Sequence, residues 1–580
     1  MSCFSFLRGK KQNFVSDEKV HTAVDRASTL VDDDASWAAA TSKAPTVKST
    51  PTSKQLNALR DEMRKEGLDW YIVFSDDEHA SEYTAPPEQR RAFLTGFTGS
   101  AGTAIVKAGD ASEAHCFADG RYWVQAGEQL DENWTLHKVG LGGEDNWDGF
   151  IAKAVRKGEK VGFDAKTISY GERRLSYASQ SHAKHTEACC IRYAFADPAK
   201  SLISSLQGAG AELTLPERNL VDAVWPDRPS PRIAVLHEHP LEFAGKHASE
   251  KLKDLHKWNL TQLEALAPKA KENDNDAPPA AATYLISALD EVAWTLNLRG
   301  DSIPNNPVFP AYLTVTSRAG QPHPFVTLYV SLDLVPRGSQ VDHYIHSLGV
   351  RILPHDDLWD ALKDASDKGI GSNALIASEK VSWAVMQAFA GGEKSARVLG
   401  PDSPVAMAKA IKNPTEIKGM KHAYLHDGAA WCIWMAHLTH DIRKRGAKIS
   451  EWEAAERLDA ERKKLDYYAG NSYDPISATG EHAALPHYET PEKGSSIIDK
   501  HTPYLMDAGA QYFNGGTIDT TRTVNFGSPA REHKRAFTRV LQGHIAIDTL
   551  VFPEGSTGSA LDAIARRALW QDGMNYSHGT

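Results

Sequence analysis

Two aspartates, Asp507 and Asp519, stand twelve residues apart around a turn. The segment reads Met506-Asp507-Ala508-Gly509-Ala510-Gln511-Tyr512, then Phe513-Asn514-Gly515-Gly516, then Thr517-Ile518-Asp519-Thr520-Thr521-Arg522-Thr523. Positive φ costs little in an Asn-Gly-Gly turn, so the two β-rich runs beside it read as a hairpin. A hairpin can bring both carboxylates to one side of a sheet, where their oxygens suit hard or borderline divalent cations. Two carboxylates alone do not make a tight site, so further ligands must come from elsewhere. For an isolated hairpin aspartate the plainer reading is turn chemistry or solvation.

The elements that must position this pair begin near Pro404. Residues Ala406 to Asn413 and Glu416 to Ile442 read as long amphipathic helices, and Ser450-Glu451-Trp452-Glu453 as a capping box opening another. Strands alternate with turns from Tyr473 to Phe526, and helices are expected at Arg531–Leu541 and Gly558–Trp570. Upstream, Leu56, Leu59 and Met63 share one helix face, Gly67 offers a C-cap, and Trp70–Phe74 reads as a strand buried on both faces. A similar plan recurs at Thr261–Ala270, with an insert at Glu272–Pro279 and a strand at Thr283–Ile286. Acidic residues follow each strand, Asp76-Asp77-Glu78 and Asp290-Glu291, as in a diverged internal duplication. The expected organisation is a disordered tail over 1–53, two tandem α/β domains over 54–212 and 213–402, and a third domain over 403–580.

Composition narrows the function. The chain has 580 residues, 41% hydrophobic and 24% charged, ordinary for a globular protein. Lys plus Arg number 65 against 75 Asp plus Glu, a formal charge of −10 that argues against nucleic acid or anionic membrane as the main partner. No apolar run is long enough for a membrane span, and the N-terminus lacks a signal-peptide core. Five cysteines in so long a chain make no disulfide framework, so the expected compartment is the cytoplasm. Cys3 with its basic neighbours could accept an acyl group, although an exposed tail cysteine is the plainer reading, and Cys189-Cys190 lacks ligand spacing. The run Gly96–Gly102 lacks the Lys of a phosphate loop and reads as a strand-to-strand turn.

Several stretches together carry a specific resemblance. They are Ser81-Glu82-Tyr83, Arg90-Arg91-Ala92-Phe93, Gly99–Ala104, Asp119-Gly120-Arg121-Tyr122, Asn219–Asp222, Ala288–Trp294, Asn297–Gly300, Asn306–Phe309, Asp507–Tyr512, Asp519–Thr523 and Ser577–Thr580. In these, from about Leu56 to Thr580, the chain resembles the cytosolic Xaa-Pro aminopeptidases (aminopeptidase P). These are three-domain members of the creatinase and methionine-aminopeptidase family with a "pita-bread" catalytic fold. The resemblance implies an α/β (α+β) architecture of two creatinase-type domains followed by a pita-bread domain. It implies a metal-dependent exopeptidase that releases the N-terminal residue from peptides with proline second. It makes Asp507 a ligand to one metal and Asp519 a bridge between two, normally manganese (Mn2+), which activate a water. It makes His487 and His578 substrate-positioning residues, and it implies a homodimer acting on proline-containing peptides.

Two departures follow from the same comparison. The family spaces its first two aspartates eleven apart, so one extra residue lies between Tyr512 and Asp519. Absorbed in the turn, it leaves the sheet undisturbed; placed in a strand, it would reverse side-chain parity and turn Asp519 away from Asp507. The family's remaining ligands, one histidine and two glutamates, are expected beyond Thr580, as in a C-terminally truncated copy. The expectation is then little metal affinity and little activity for these 580 residues by themselves. The alternative is a pita-bread pseudoenzyme acting as a peptide- or protein-binding module, although such relatives typically lose the aspartates kept here. A metal-free creatinase-like amidinohydrolase is a third reading, and the retained aspartates count against it too.

Overall fold

The computed structural model describes residues 49–109, 113–170, 198–266, 279–366, 369–390, 396–399, 403–576 and 578–579. The tail through residue 48, Cys189-Cys190 and the insert at Glu272–Pro279 up to residue 278 lie outside the described residues. Lys48–Pro529 form one compact unit, and Ala530–Thr580 belong to a second.

The packed structure includes residues before the expected boundary at 54. Thr52 is fully buried, and its backbone N–H donates to Asp131 over 2.6 Å. The helix Ser53–Lys65 then buries Leu56, Leu59 and Met63 completely. Past its end Gly67 takes φ +67°, and Leu68 N donates back to the Met63 carbonyl over 2.8 Å. All five residues of the next strand, β1 (Trp70–Phe74), are buried.

Five more strands complete a first sheet: β2 (Thr103–Lys107), β3 (Ala114–Ala118), β4 (Thr135–Lys138), β5 (Lys160–Phe163) and β6 (Glu212–Leu213). Their spatial order is β4-β3-β2-β1-β5-β6. After the short β7 (His237–Glu238), which pairs with β9 (Leu298–Arg299), comes a second sheet. Its strands are β8 (Ala281–Ile286), β10 (Ala311–Arg318), β11 (Phe325–Val330), β12 (Val350–Leu353), β13 (Ala374–Ser378) and β14 (Ala396–Leu399), in the order β12-β11-β10-β8-β13-β14. Strand directions match as well as order. β1 is antiparallel to β2 and parallel to β5, as β8 is to β10 and β13. The duplication read from two strands therefore extends over six. The two sheets share a core in which Trp70, Ile72 and Phe163 pack with Leu285, Tyr312, Leu375 and Trp383.

The glycine run Gly96–Gly102 is not a strand-to-strand turn. It joins the helix Arg90–Thr95 to β2, with Gly96 at φ +74° ending the helix. Arg91 is buried beneath it and donates to the carbonyls of Phe97 and Gly99.

The third region opens with helices Pro404–Ala410 and Pro414–His440, the latter extended by a wide turn at Asp441–Arg445. The full capping box sits at Asn413 and Glu416, where each side chain takes the other's backbone N–H. Ser450 caps the helix Glu451–Arg462 by accepting from Glu453 N, but the Glu453 carboxylate pairs with Arg457 at 2.6 Å. An ion pair one turn on competes for the carboxylate that would have closed the expected box.

Six strands follow: β15 (Tyr468–Asn471), β16 (Ile476–Thr479), β17 (Tyr504–Asp507), β18 (Ala510–Tyr512), β19 (Gly516–Ile518) and β20 (Thr521–Val524). They form two three-stranded sheets, β15-β18-β19 and β16-β17-β20, so the long hairpin of Tyr504–Val524 passes from one sheet into the other. Its tip lies on the helix Pro414–His440 so closely that a Cβ at Gly516 would sit 2.1 Å from the Cβ of Ala423.

In the second unit, helices Arg531–Asp548 and Gly558–Trp570 pack on each other. The first runs seven residues past its expected end at Leu541. Gly543 does not stop it but gives the contact its closeness, since a Cβ there would lie 2.1 Å from the Ala565 carbonyl.

Candidate functional site

One unbroken register fixes the aspartate pair. Tyr504 faces Val524 and Asp507 faces Thr521, then Ala510 faces Ile518 and Tyr512 faces Gly516. The extra residue of the twelve-residue spacing therefore lies in the turn Phe513-Asn514-Gly515, where Gly515 takes φ +93° and donates to the Tyr512 carbonyl over 3.0 Å. Gly516, expected in the turn, is a strand residue. Asp519 is two positions from Thr521, the partner of Asp507, and side chains alternate along a strand. Both carboxylates consequently leave the hairpin on the same face.

They meet on one hydroxyl. Tyr473 Oη lies 2.7 Å from Asp507 Oδ1 and 3.1 Å from Asp519 Oδ1. Burial, and after it the Asp519 charge, push the Asp507 carboxyl above its ordinary pKa, against hydrogen bonds from Tyr473 and Thr521. Burial and the same two carboxylates drive the Tyr473 hydroxyl far up. A hydroxyl has one hydrogen, so it cannot satisfy two anionic acceptors at once. Like charges held this close are relieved by a cation between them, and an all-oxygen pair suits a hard or borderline divalent ion. The residues present fit such a group.

His487 is brought to the same place. Its ring stacks on Tyr122 at 4.9 Å and 23°, and its charge acts on Asp507. The segment around it is held from below by Glu451, which is fully buried. Glu451 accepts from Thr479 N (2.7 Å), Ser496 N (3.3 Å) and Tyr488 Oη (2.9 Å), and pairs with His482 Nδ1 (2.9 Å). At the other end of the same helix, Arg462 is 1% exposed and donates to the carbonyls of Ala508 and Gly509, immediately after Asp507. Gly509 is obligatory there, because a Cβ would lie 1.9 Å from Ser472 Oγ and 2.2 Å from the Ile518 carbonyl.

The first sheet's domain walls the site. Thr98 Oγ1 and Gln125 Nε2 reach Glu489 at 2.7 and 3.2 Å, two residues past His487. Arg121 is held by Asp119 through bonds of 2.9 and 2.8 Å, beside Tyr122. The Tyr83 hydroxyl is raised first by burial and further by Glu82, Tyr122, Asp507 and Asp519. His578 belongs to the second unit, where it is exposed, with Nδ1 2.8 Å from the Gly579 carbonyl and its ring 4.9 Å from Tyr576.

Sequence reasoning assigned no role to Tyr473, Tyr83, Arg121 or Tyr122. The last three lie in stretches that carried the resemblance, and so many matching residues outside the third domain were the available signal. Tyr473 had none beyond the start of the strand-rich region.

Comparisons with known proteins agree along the chain. Residues 55–183 and 227–416 each match the Creatinase/Prolidase N-terminal domain, and residues 418–580 match Metallopeptidase family M24. A probable Xaa-Pro aminopeptidase P of Aspergillus niger is 40% identical over 542 residues, covering 92% of this chain and 78% of that protein. One from Talaromyces marneffei is 38% identical over 541 residues, covering 92% and 73%. Among solved structures, the X-prolyl aminopeptidase from Caenorhabditis elegans, described as a cytosolic enzyme with a di-nuclear active site, superposes with TM-score 0.77 at 29% identity. That match covers 92% of this chain and 79% of the other.

Proposed function

The chain belongs to the aminopeptidase P family of the M24 metallopeptidases, and from that premise we propose that Asp507 and Asp519 hold its divalent metal ions while His487 and His578 position the substrate. The activity is that of a metal-dependent aminopeptidase, which releases the N-terminal residue from peptides with proline second. Relatives and family match alike favour a peptidase over the non-catalytic binding module and the amidinohydrolase. The observation that carries the site assignment is the single Tyr473 hydroxyl shared by Asp507 and Asp519.

When bound, the metal ions supply Lewis-acid polarisation of the scissile carbonyl and lower the pKa of a water. The chain's own residues do the rest. Tyr473 holds the two carboxylates at a common point, and its one hydrogen can pass between them. Tyr122, itself buried, stacks on the His487 ring and backs it. Proline in the second position has no amide N–H to donate and a fixed φ, so shape is the property by which a site can read it.

Manganese is our choice of metal, carried over from the family, and carboxylate oxygens such as those of Asp507 and Asp519 suit it. Homodimerisation is carried over from the family. Cytoplasmic location rests on cysteine usage and on the C. elegans enzyme being cytosolic. No helix among the described residues is long and apolar enough to cross a membrane. We also assign domains to 54–212, 213–402 and 403–580, supported by the repeated sheet order.

The test uses the protein as its natural source makes it. Metal content is measured together with cleavage of a Gly-Pro-type peptide and of its Gly-Ala counterpart. Asp507→Asn and Asp519→Asn should each lose metal and more than about 100-fold in rate. Metal content and rate both unchanged in either variant would remove that aspartate from the ligand set.

A further inference from the structure

Where β1 ends, Glu78 and His79 turn toward the second sheet's domain, and they meet His355, which follows β12. Nε2 of His355 is 3.6 Å from Glu78 Oε1, and Nε2 of His79 is 3.9 Å from the same oxygen. One ligand atom from each of the three lies within 4.8 Å of the others. Donors held at zinc distances with tetrahedral angles stand about 3.4 Å apart, so a shift of the side chains by an ångström or so brings the three to that geometry.

The imidazoles are oriented as metal ligands are. His79 Nδ1 is 2.9 Å from the Ser287 carbonyl, which can only accept, so the hydrogen is on Nδ1 and, in the neutral ring, Nε2 carries the lone pair. His355 Nδ1 is 3.2 Å from the carboxylate of Asp356, with the same consequence. Both Nε2 atoms are buried without a hydrogen-bond partner, and His79 as a whole is 3% exposed. An acceptor nitrogen left unpaired inside a protein costs free energy unless something binds it. Ordinary packing leaves that cost unmet here; a cation removes it on both rings together.

The surroundings keep the three groups in place. Tyr312, fully buried, lies 4.6 Å from the His79 ring and 5.2 Å from the His355 ring. Asp77 accepts from His79 N and Ser81 N, both at 3.0 Å, which fixes the loop. Among the described residues Lys166 is the lysine or arginine in contact, 3.4 Å from Glu78 Oε2 and 4.5 Å over the Trp359 ring. It attends the other carboxylate oxygen and leaves Oε1 facing the two nitrogens.

We propose that Glu78, His79 and His355 form a mononuclear site for a zinc-type divalent cation, separate from the aspartate pair, which ties the loop after β1 to the segment after β12. Two imidazoles and one carboxylate are a borderline donor set that suits zinc over magnesium or calcium, with water completing four ligands. Because the ligands come from both halves of the duplication, binding there clamps the two halves together.

The experiment isolates this site by working in an Asp507→Asn/Asp519→Asn background. The apoprotein is titrated with Zn2+ against a chromogenic chelator, and with Co2+ followed by its visible absorption. The background should bind one equivalent of Zn2+, give tetrahedral Co2+ bands, and show a higher thermal midpoint with zinc. His355→Gln and Glu78→Gln should each weaken zinc binding more than tenfold, with circular dichroism confirming the fold; Glu78→Gln decides the matter should His355→Gln not fold. A background protein that binds no zinc, or one whose affinity both variants leave unchanged, overturns the proposal.

Discussion

Arg462 and Asp427 form a buried two-pronged pair, with Nε–Oδ1 at 2.8 Å and Nη2–Oδ2 at 3.1 Å and neither residue more than 2% exposed. The guanidinium also bonds the carbonyls of Ala508 and Gly509, while Tyr512 Oη adds a bond of 2.9 Å to Asp427. The pair therefore connects the helices Pro414–His440 and Glu451–Arg462 to the strand turn that aims Asp507. Arg462→Met should destabilise the protein by about 3–5 kcal/mol, because it strands the Asp427 charge in the interior. The double variant Arg462→Met/Asp427→Leu should recover much of that loss in thermal midpoint while metal affinity stays reduced. Equal loss in single and double variants would count against the pairing account.

Glu451 holds the other side of the site through four contacts to residues 479–496. Glu451→Gln keeps the size but weakens the bonds to His482 and Tyr488, costing about 1–3 kcal/mol. Since the residue touches the segment bearing His487 and not the aspartates, KM for an Xaa-Pro peptide should rise several-fold with metal content unchanged. A loss of metal instead would show that Glu451 supports the aspartates.

Parity along the hairpin makes a sharper demand. One glycine inserted after Gly515 lengthens only the turn and should leave metal content intact, since loop length is cheap. One alanine inserted between Ala510 and Gln511 shifts the turn-side strand by one residue and reverses which face it presents, so metal binding should be lost. Metal content measured on both insertions settles this, and equal behaviour of the two would contradict the register described.

Glu291 gives a pH signature away from the site. Burial first, and then Asp290, push its carboxyl up to about 7 from 4.5, against Lys380, Lys409 and Ser403. The folded state thus binds a proton more tightly than the unfolded chain. That stability is fully present below about pH 4.5 and is lost as pH rises through about 7. Glu291→Gln should flatten this part of the profile and raise stability at pH 8 by roughly 1–3 kcal/mol. Thermal midpoints at pH 5 and pH 8 for both proteins measure it. An unchanged slope would place the proton elsewhere.

Much of this was readable from residues alone, because the signals were local. The face formed by Leu56, Leu59 and Met63, the five-residue apolar run Trp70–Phe74 and the glycine turn between two β runs each depend on neighbours a few positions away. The resemblance to the family named Asp507, Asp519 and His487 as expected site residues. What sequence missed depended on distance along the chain. Tyr473 is ordinary until the fold sets it between two aspartates 34 and 46 residues on. Tyr122 comes to back His487 only because the first sheet's domain comes back against residues 365 positions later. Glu78, His79 and His355 are unremarkable in the linear text, and their shared oxygen-and-nitrogen cluster exists because the two sheets share a core. Local periodicity determined the elements, since backbone hydrogen bonding and side-chain alternation act over a few residues. Tertiary packing alone decided which charges meet, since that is a matter of excluding water from surfaces that the chain's order does not place side by side.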